Sequence, residues 1–204
     1  MFVLNQEQGE YLVKLARATI EYELGLVAKP RTDDAPDVTK AKCGVFVTLN
    51  TVQGESESLR GCIGYPYPIK DLLTAVIDSA HNAAFSDPRF PPVDKEEMDN
   101  IKVEVSVLTP PQPVKVVNPM EYPAKVKVGR DGLILSRGMR RGLLLPQVAV
   151  EWGWDSEEFL SQCCFKAGIP PDSWLLEGTE IQVFQALIYS ERSPHGDIVR
   201  HEID

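Results

Sequence analysis

The six residues from Leu59 to Gly64, reading Leu-Arg-Gly-Cys-Ile-Gly, restrict the fold of this chain more than any other stretch. They close a run of apolar and β-branched residues that follows a similar run, Val45 to Leu49. Between the two lies a polar connector, Asn50 to Glu57, carrying the turn residue Gly54. Two such runs around a turn predict a β-hairpin with the hexapeptide in its second strand. Alternate residues of a strand share a face, so Arg60, Cys62 and Gly64 are expected on one side and Leu59, Gly61 and Ile63 on the other. Glycine weakens a strand and marks a bulge or a close approach of another backbone or a ligand. Here Gly61 and Gly64 bracket a cysteine.

A thiol beside a guanidinium has two readings. Arg60 could lower the pKa of Cys62 or fork onto a carboxylate or phosphate, and the glycines could admit a ligand to the backbone. Equally, a free cysteine is often just a small buried hydrophobe, and an arginine often pairs with an ordinary acidic neighbour. The segment Asp87-Pro88-Arg89-Phe90-Pro91-Pro92 adds a rigid connector in which three prolines fix φ, so that Asp87 and Arg89 are held still. Strand-like alternation from Ile101 to Leu108 projects Glu104 and Ser106 together, and Glu104 is the expected partner of Arg60. His81, three residues beyond Asp78, is the candidate base for Cys62, although it borders the apolar face of a helix.

The hexapeptide resembles the hallmark of the AMME chromosomal-region family. Four further segments resemble that family's recurrent segments in order: Asp87 to Pro92, Glu104 to Pro110, Leu144 to Ala149, and Phe165 to Gly168. The likeness spans nearly the whole chain. It implies a cytosolic α+β protein of a larger and a smaller lobe, with recurrent residues gathering near a cleft between them, and without an established activity. It also implies a contextual link to Memo-like and radical-SAM proteins.

Composition narrows the function classes. Thirty acidic residues against 21 basic ones give a formal charge of -9, which repels phosphate backbones and disfavours nucleic-acid binding. Arg137, Arg140 and Arg141, with Lys125, Lys127 and Arg130, form the best basic stripe, and a solvated hairpin face accounts for it. Four cysteines, Cys43, Cys62, Cys163 and Cys164, show no Cys-x-x-Cys spacing and no histidines at zinc-finger spacing, so no metal site is expected and reduced thiols in the cytoplasm are. Early charges such as Glu7, Glu10 and Lys14 interrupt any leader-like apolar region, and no apolar run has the length of a membrane span. Phosphate-binding glycine loops and the zinc-protease and serine-hydrolase motifs are missing, and the sequence names no cofactor.

Along the chain, helical periods are expected over 5–26 and 69–85, with a loop over 29–40 between the first helix and the hairpin. Asp94 with Glu97 reads as a capping box, and Pro110, Pro111 and Pro113 mark a break. From 114 to 145 the pattern predicts short strands with a hairpin at Asp131-Gly132. Helices follow from Pro146 to about Trp152 and from Asp155 to Ala167, then a last strand over 181–189 and a frayed tail.

The whole predicts an α+β fold, a largely antiparallel sheet flanked by helices, in a single domain over 1–204. Its larger lobe takes about 1–110 with the strand 180–190, and its smaller lobe about 111–179. Two functions remain open. One is a small-molecule or modifying enzyme with Cys62, Glu104 and His81 as catalytic groups and Arg60, Gly61, Gly64, Asp87 and Arg89 as ligand contacts. The other is a non-catalytic binding or adaptor protein that recognises an anionic ligand or peptide, with Gln147, Trp154 and Lys166 on the second wall of the cleft.

Overall fold

The computed structural model describes residues 2–201. In chain order the elements are α1 (Gln6–Glu23), β1 (Gly44–Gln53), β2 (Ser56–Tyr65), α2 (Leu72–Phe85), β3 (Ile101–Leu108), β4 (Gln112–Pro113), α3 (Tyr122–Lys125), β5 (Gly132–Arg137), β6 (Arg140–Leu144), α4 (Pro146–Glu151), α5 (Ser156–Lys166), β7 (Thr179–Phe184), β8 (Ala186–Glu191) and β9 (Ile198–His201). They form two compact units. One runs up to Leu108 and resumes at Leu187, and the other extends from Thr109 to Ala186.

The first unit holds a five-stranded sheet in the order β2-β1-β3-β8-β9, with β1 antiparallel to both β2 and β3. Alternation sorts the faces. Val45, Val47 and Leu49 of β1 and Val103, Val105 and Val107 of β3 are buried in one core with Leu12, Ala16 and Ile20 of α1 and Val76, Ala80 and Ala83 of α2. Helix α1 starts where expected because Asn5 and Gln8 form a reciprocal capping box. Helix α2 starts at Leu72, later than its apolar period suggests, because Asp71 accepts hydrogen bonds from the Thr74 amide and hydroxyl and fixes the first turn there.

The expected frayed tail is overturned over 198–201. Strand β9 pairs with β8, and Gln6 Nε2 donates to the Ile198 carbonyl at 2.7 Å. A buried ion pair anchors this hairpin: Arg17 of α1 donates to both carboxylate oxygens of Glu191, and Glu191 also accepts from the Val103 amide at 3.0 Å. The three residues that complete the expected tail lie outside the described ones.

The second unit holds a four-stranded sheet in the order β4-β7-β5-β6, whose described pairings are antiparallel. Its core gathers Leu133, Leu135, Phe159, Leu160, Cys163 and Trp174. Two sequence expectations change here. The hairpin turns at Gly138 and Met139, between β5 and β6, and not at Asp131-Gly132, because buried Asp131 accepts from the Lys127 amide and closes a turn that precedes β5. The single strand expected over 181–189 is two strands in different sheets, β7 and β8. Gln185 bridges them: its carbonyl accepts from the Thr109 amide at 2.8 Å and its amide donates to Thr109 Oγ1 at 2.9 Å.

Candidate functional site

Register builds the site from the strands upward. Thr48 stands directly opposite Cys62 on one side and Glu104 on the other, so the three side chains form a row across β2, β1 and β3, on the face turned away from the valine core. The next row is Gly64, Phe46 and Ser106. Thr48 Oγ1 donates to Cys62 Sγ at 3.2 Å, and Ser106 Oγ donates to Glu104 at 3.4 Å. Thr48, Cys62 and Glu104 are all half-buried.

Strand β2 is an edge strand, and exposed edges leave backbone groups unpaired. At Cys62 that edge is covered by the proline-bounded segment. Asp87, 4 % exposed, accepts from the Cys62 amide at 2.9 Å through Oδ2, while Arg89 donates to the Cys62 carbonyl at 3.1 Å. Arg89 also forks onto both oxygens of Asp87, at 2.9 and 2.6 Å, and its own amide donates to Oδ1. Two residues therefore hold both backbone groups of the thiol-bearing residue, as a neighbouring strand would.

Arg60 does not pair with Glu104. Register slips by one residue between Leu49 and Asn50, a bulge that leaves Arg60 without a residue opposite. Its guanidinium runs instead to Glu97, with two hydrogen bonds of 2.9 and 2.8 Å. Two guanidinium groups approach the Phe90 ring, that of Arg60 at 5.9 Å and that of Arg89 at 5.5 Å from its centroid. Arg60 is 8 % exposed, and its Nη1 has no partner among the described residues.

The glycines serve the chain's own packing. A Cβ on Gly61 would come within 2.2 Å of the Ala83 carbonyl oxygen, so glycine is what lets α2 settle on β2. A Cβ on Gly64 would meet the Val45 carbonyl oxygen at 2.1 Å. Because Gly61 faces α2 and Cys62 faces away from it, His81 of α2 stands across the sheet from the thiol. Its ring packs on Phe85, 5.4 Å between centroids. The structure thus brings Cys62, Asp87, Arg89 and Glu104 together and leaves His81 apart.

Electrostatics sets two carboxylates around Cys62 in opposite directions. Arg89, with the amides of Cys62 and Arg89, holds Asp87 well below the usual carboxylate range against the effect of burial. Burial pushes Glu104 up, opposed by the Lys102 charge and the Ser106 hydroxyl. Burial also raises the Cys62 thiol. Glu104 and Asp87 add to that rise, whereas the Thr48 hydrogen bond and the Arg89 charge oppose it. The balance favours the protonated thiol.

Sequence reasoning missed Thr48, Glu97 and Phe90. The alternation of β1 was the available signal for Thr48, and the box of Asp94 and Glu97 does form, but nothing in it told of the second bond from Glu97 to Arg60. The basic stripe proves largely occupied: Arg130 forks onto Asp131, Arg137 donates to the Glu177 carbonyl, and Arg140 to that of Gly168. Among the described residues no group of three or more His, Cys, Asp or Glu side chains could hold a metal ion, and no helix is long and apolar enough to cross a membrane.

Comparison with known proteins places this geometry in a family. A protein of Thermococcus gammatolerans is 53 % identical over 203 residues, covering 98 % of each chain. Protein MJ0810 of Methanocaldococcus jannaschii is 50 % identical over the full length of both chains. The crystal structure of the uncharacterized protein PH0010 from Pyrococcus horikoshii superposes with a TM-score of 0.81 at 52 % identity, covering 98 % of this chain and 100 % of that one, so the mixed α and β architecture is shared. The AMMECR1 family model matches residues 13–189, and the chain belongs to that family.

Proposed function

We propose that the protein is an enzyme acting on a small molecule at the face formed by Thr48, Cys62 and Glu104. One observation carries this reading: the register places a half-buried thiol and a half-buried carboxyl of raised proton affinity in one row, with a hydroxyl between them. A carboxyl whose pKa moves toward neutrality is better matched to proton transfer than an ordinary one. Glu104 is the group that takes up and returns a proton. Cys62 works as a protonated thiol, a hydrogen-bond donor to substrate, and not as a standing thiolate. The Asp87 and Arg89 clamp supports the reading because it fixes the thiol's backbone, and fixed geometry is what a reacting group needs. Four free cysteines support a cytoplasmic setting.

An NMR screen of small metabolites tests the proposal. Ligands are expected to shift resonances of Thr48, Cys62 and Glu104 and to bind at least about tenfold more weakly to Glu104→Gln, a loss of about 1.4 kcal/mol. Equal binding by the wild type and this variant, or hits confined to other surfaces, would overturn it.

A second reading, a non-catalytic binding protein, has its own support. Arg60 and Arg89 are already occupied by Glu97 and Asp87, so the motif can be understood as a clamped scaffold. Of the two, only half-exposed Arg89 could still meet an anionic ligand. A ligand bound equally well by wild type and Cys62→Ala favours this reading over the first.

A further inference from the structure

The second unit carries a surface that the motif face does not involve. Helix α4 ends at Glu151, and Gly153, with φ of 65°, takes the left-handed position that closes it. Its amide donates to the Val150 carbonyl at 3.1 Å, and the Trp154 amide donates to that of Ala149 at 2.9 Å. This closure folds the chain back so that Trp152 and Trp154 stack, with centroids 6.0 Å apart and planes inclined by 16°. Their surroundings differ. Trp154 packs against the core of its unit, whereas Trp152 is 71 % exposed. Burying an indole is worth several times more than burying a small apolar group, so a stacked pair with one face in water is an unpartnered surface.

The chain segment that carries the pair is acidic. From Glu151 to Glu158 the chain holds four exposed carboxylates, at Glu151, Asp155, Glu157 and Glu158, and no basic residue. Two of them have local duties: Asp155 accepts from the Glu158 amide as the helix cap, and Glu158 accepts from Gln162. Lys125 and Lys127 flank Val126, whose carbonyl accepts from Ser156 Oγ, so the carboxylates at the start of α5 have basic neighbours. Glu151, exposed and directly before Trp152, is the carboxylate that adjoins the pair in the chain.

We infer that the Trp152 and Trp154 platform docks an arginine-bearing basic segment of a partner protein. A guanidinium is flat and weakly hydrated, stacks on an indole face, and forks onto a carboxylate at the same time, which a lysine ammonium cannot do. The stacked pair supplies the indole face, exposed Glu151 directly before it in the chain supplies a carboxylate, and an overall charge of -9 steers a cationic segment toward the molecule.

Titration of the full chain with tetra-arginine amide, followed by tryptophan fluorescence and by amide NMR, tests this. Saturable binding with shifts centred on 150–158 is expected, weakened at least tenfold in Trp152→Ala, less in Glu151→Gln, and weaker for tetra-lysine amide. Trp152→Ala is chosen because that side chain is exposed and its loss should leave the fold intact; an unchanged melting temperature checks this. No saturation by tetra-arginine, equal binding by Trp152→Ala, or shifts centred elsewhere would overturn the inference. So would concentration-dependent self-association abolished by Trp152→Ala, which would make a second copy the occupant.

Discussion

Both units solve two local problems with the same devices. In each, a strand glycine lies under a helix: Gly61 of β2 beneath Ala83 of α2, and Gly142 of β6, where a Cβ would meet the Cys163 carbonyl oxygen at 2.4 Å and the Ala167 amide at 2.7 Å. In each, an arginine close in sequence forks onto a buried aspartate, Arg89 onto Asp87 and Arg130 onto Asp131. What differs is where the aspartate's remaining bonds go. Asp131 closes its own turn by accepting from the Lys127 amide, whereas Asp87 reaches 25 residues back to the amide of Cys62. A turn closure stabilises only the segment that contains it. A clamp across the fold fixes one chosen residue, and in the first unit that residue bears the half-buried thiol.

The glycines give the largest expected effect. Gly61→Ala and Gly142→Ala each force a Cβ into helix backbone, where no side chain can yield, and each should cost about 3 kcal/mol or more, at the upper end of overpacking. For a chain of this length that is a fall of about 6–12 °C in melting temperature by calorimetry. If only one of the two destabilises, the packing parallel fails.

Next are the aspartates. Asp87→Asn and Asp131→Asn should each lose about 2–3 kcal/mol, the worth of charge-assisted hydrogen bonds to a buried carboxylate. Only Asp87→Asn should also speed the alkylation of Cys62 by iodoacetamide, because it removes an anion that raises the thiol's pKa. Unchanged labelling would erase the distinction between clamp and turn.

Smaller is the effect of pH on the two carboxylates at Cys62. The folded-state pKa of Asp87 is depressed, so its contribution is present above the unfolded value of about 4 and is lost as pH falls below it. Glu104 has the reverse sign. Its folded-state pKa is raised, so its contribution is full below the unfolded value of about 4.3 and is lost as pH rises through the folded one. Denaturant melts of Glu104→Gln should therefore show wild-type stability near pH 4 and equal or greater stability at pH 7, together with a lowered apparent thiol pKa. A loss of stability at pH 7 would mean that the charge of Glu104 has a partner worth more than its desolvation.

Smallest of all is Thr48→Val. It removes the hydrogen bond that opposes the rise of the Cys62 thiol, so alkylation at fixed pH should slow by a factor of about 2 to 5. Faster labelling would show that Thr48 restrains the thiol by bulk.

How much of this was legible varies by element. Local chemistry carried the hairpin, the two long helices, the 101–108 strand and the Asp94 and Glu97 box, because each depends on residues within one or two turns of one another. The pairing of Arg60 with Glu104 failed for a physical reason: alternation assumes a regular strand, and the bulge at Leu49 and Asn50 breaks that count. His81 was the only histidine in the ordered stretch as read from sequence, yet the side of the sheet on which a helix lands is not written in the helix. The strand expected over 181–189 was a continuous apolar run in sequence, and only the sheets reveal that Gln185 divides it.

By itself, then, the sequence determined the α+β class, the hexapeptide as an organising strand, and Cys62, Asp87, Arg89 and Glu104 as residues worth watching, since periodicity and turn chemistry are local. Tertiary structure alone decided that Asp87 and Arg89 grip the backbone of Cys62, that Glu97 takes Arg60, and that Thr48 stands in register between thiol and carboxyl and donates to the thiol. Those choices depend on register and on which face each helix covers, quantities fixed by burying the whole core at once and not by any single segment.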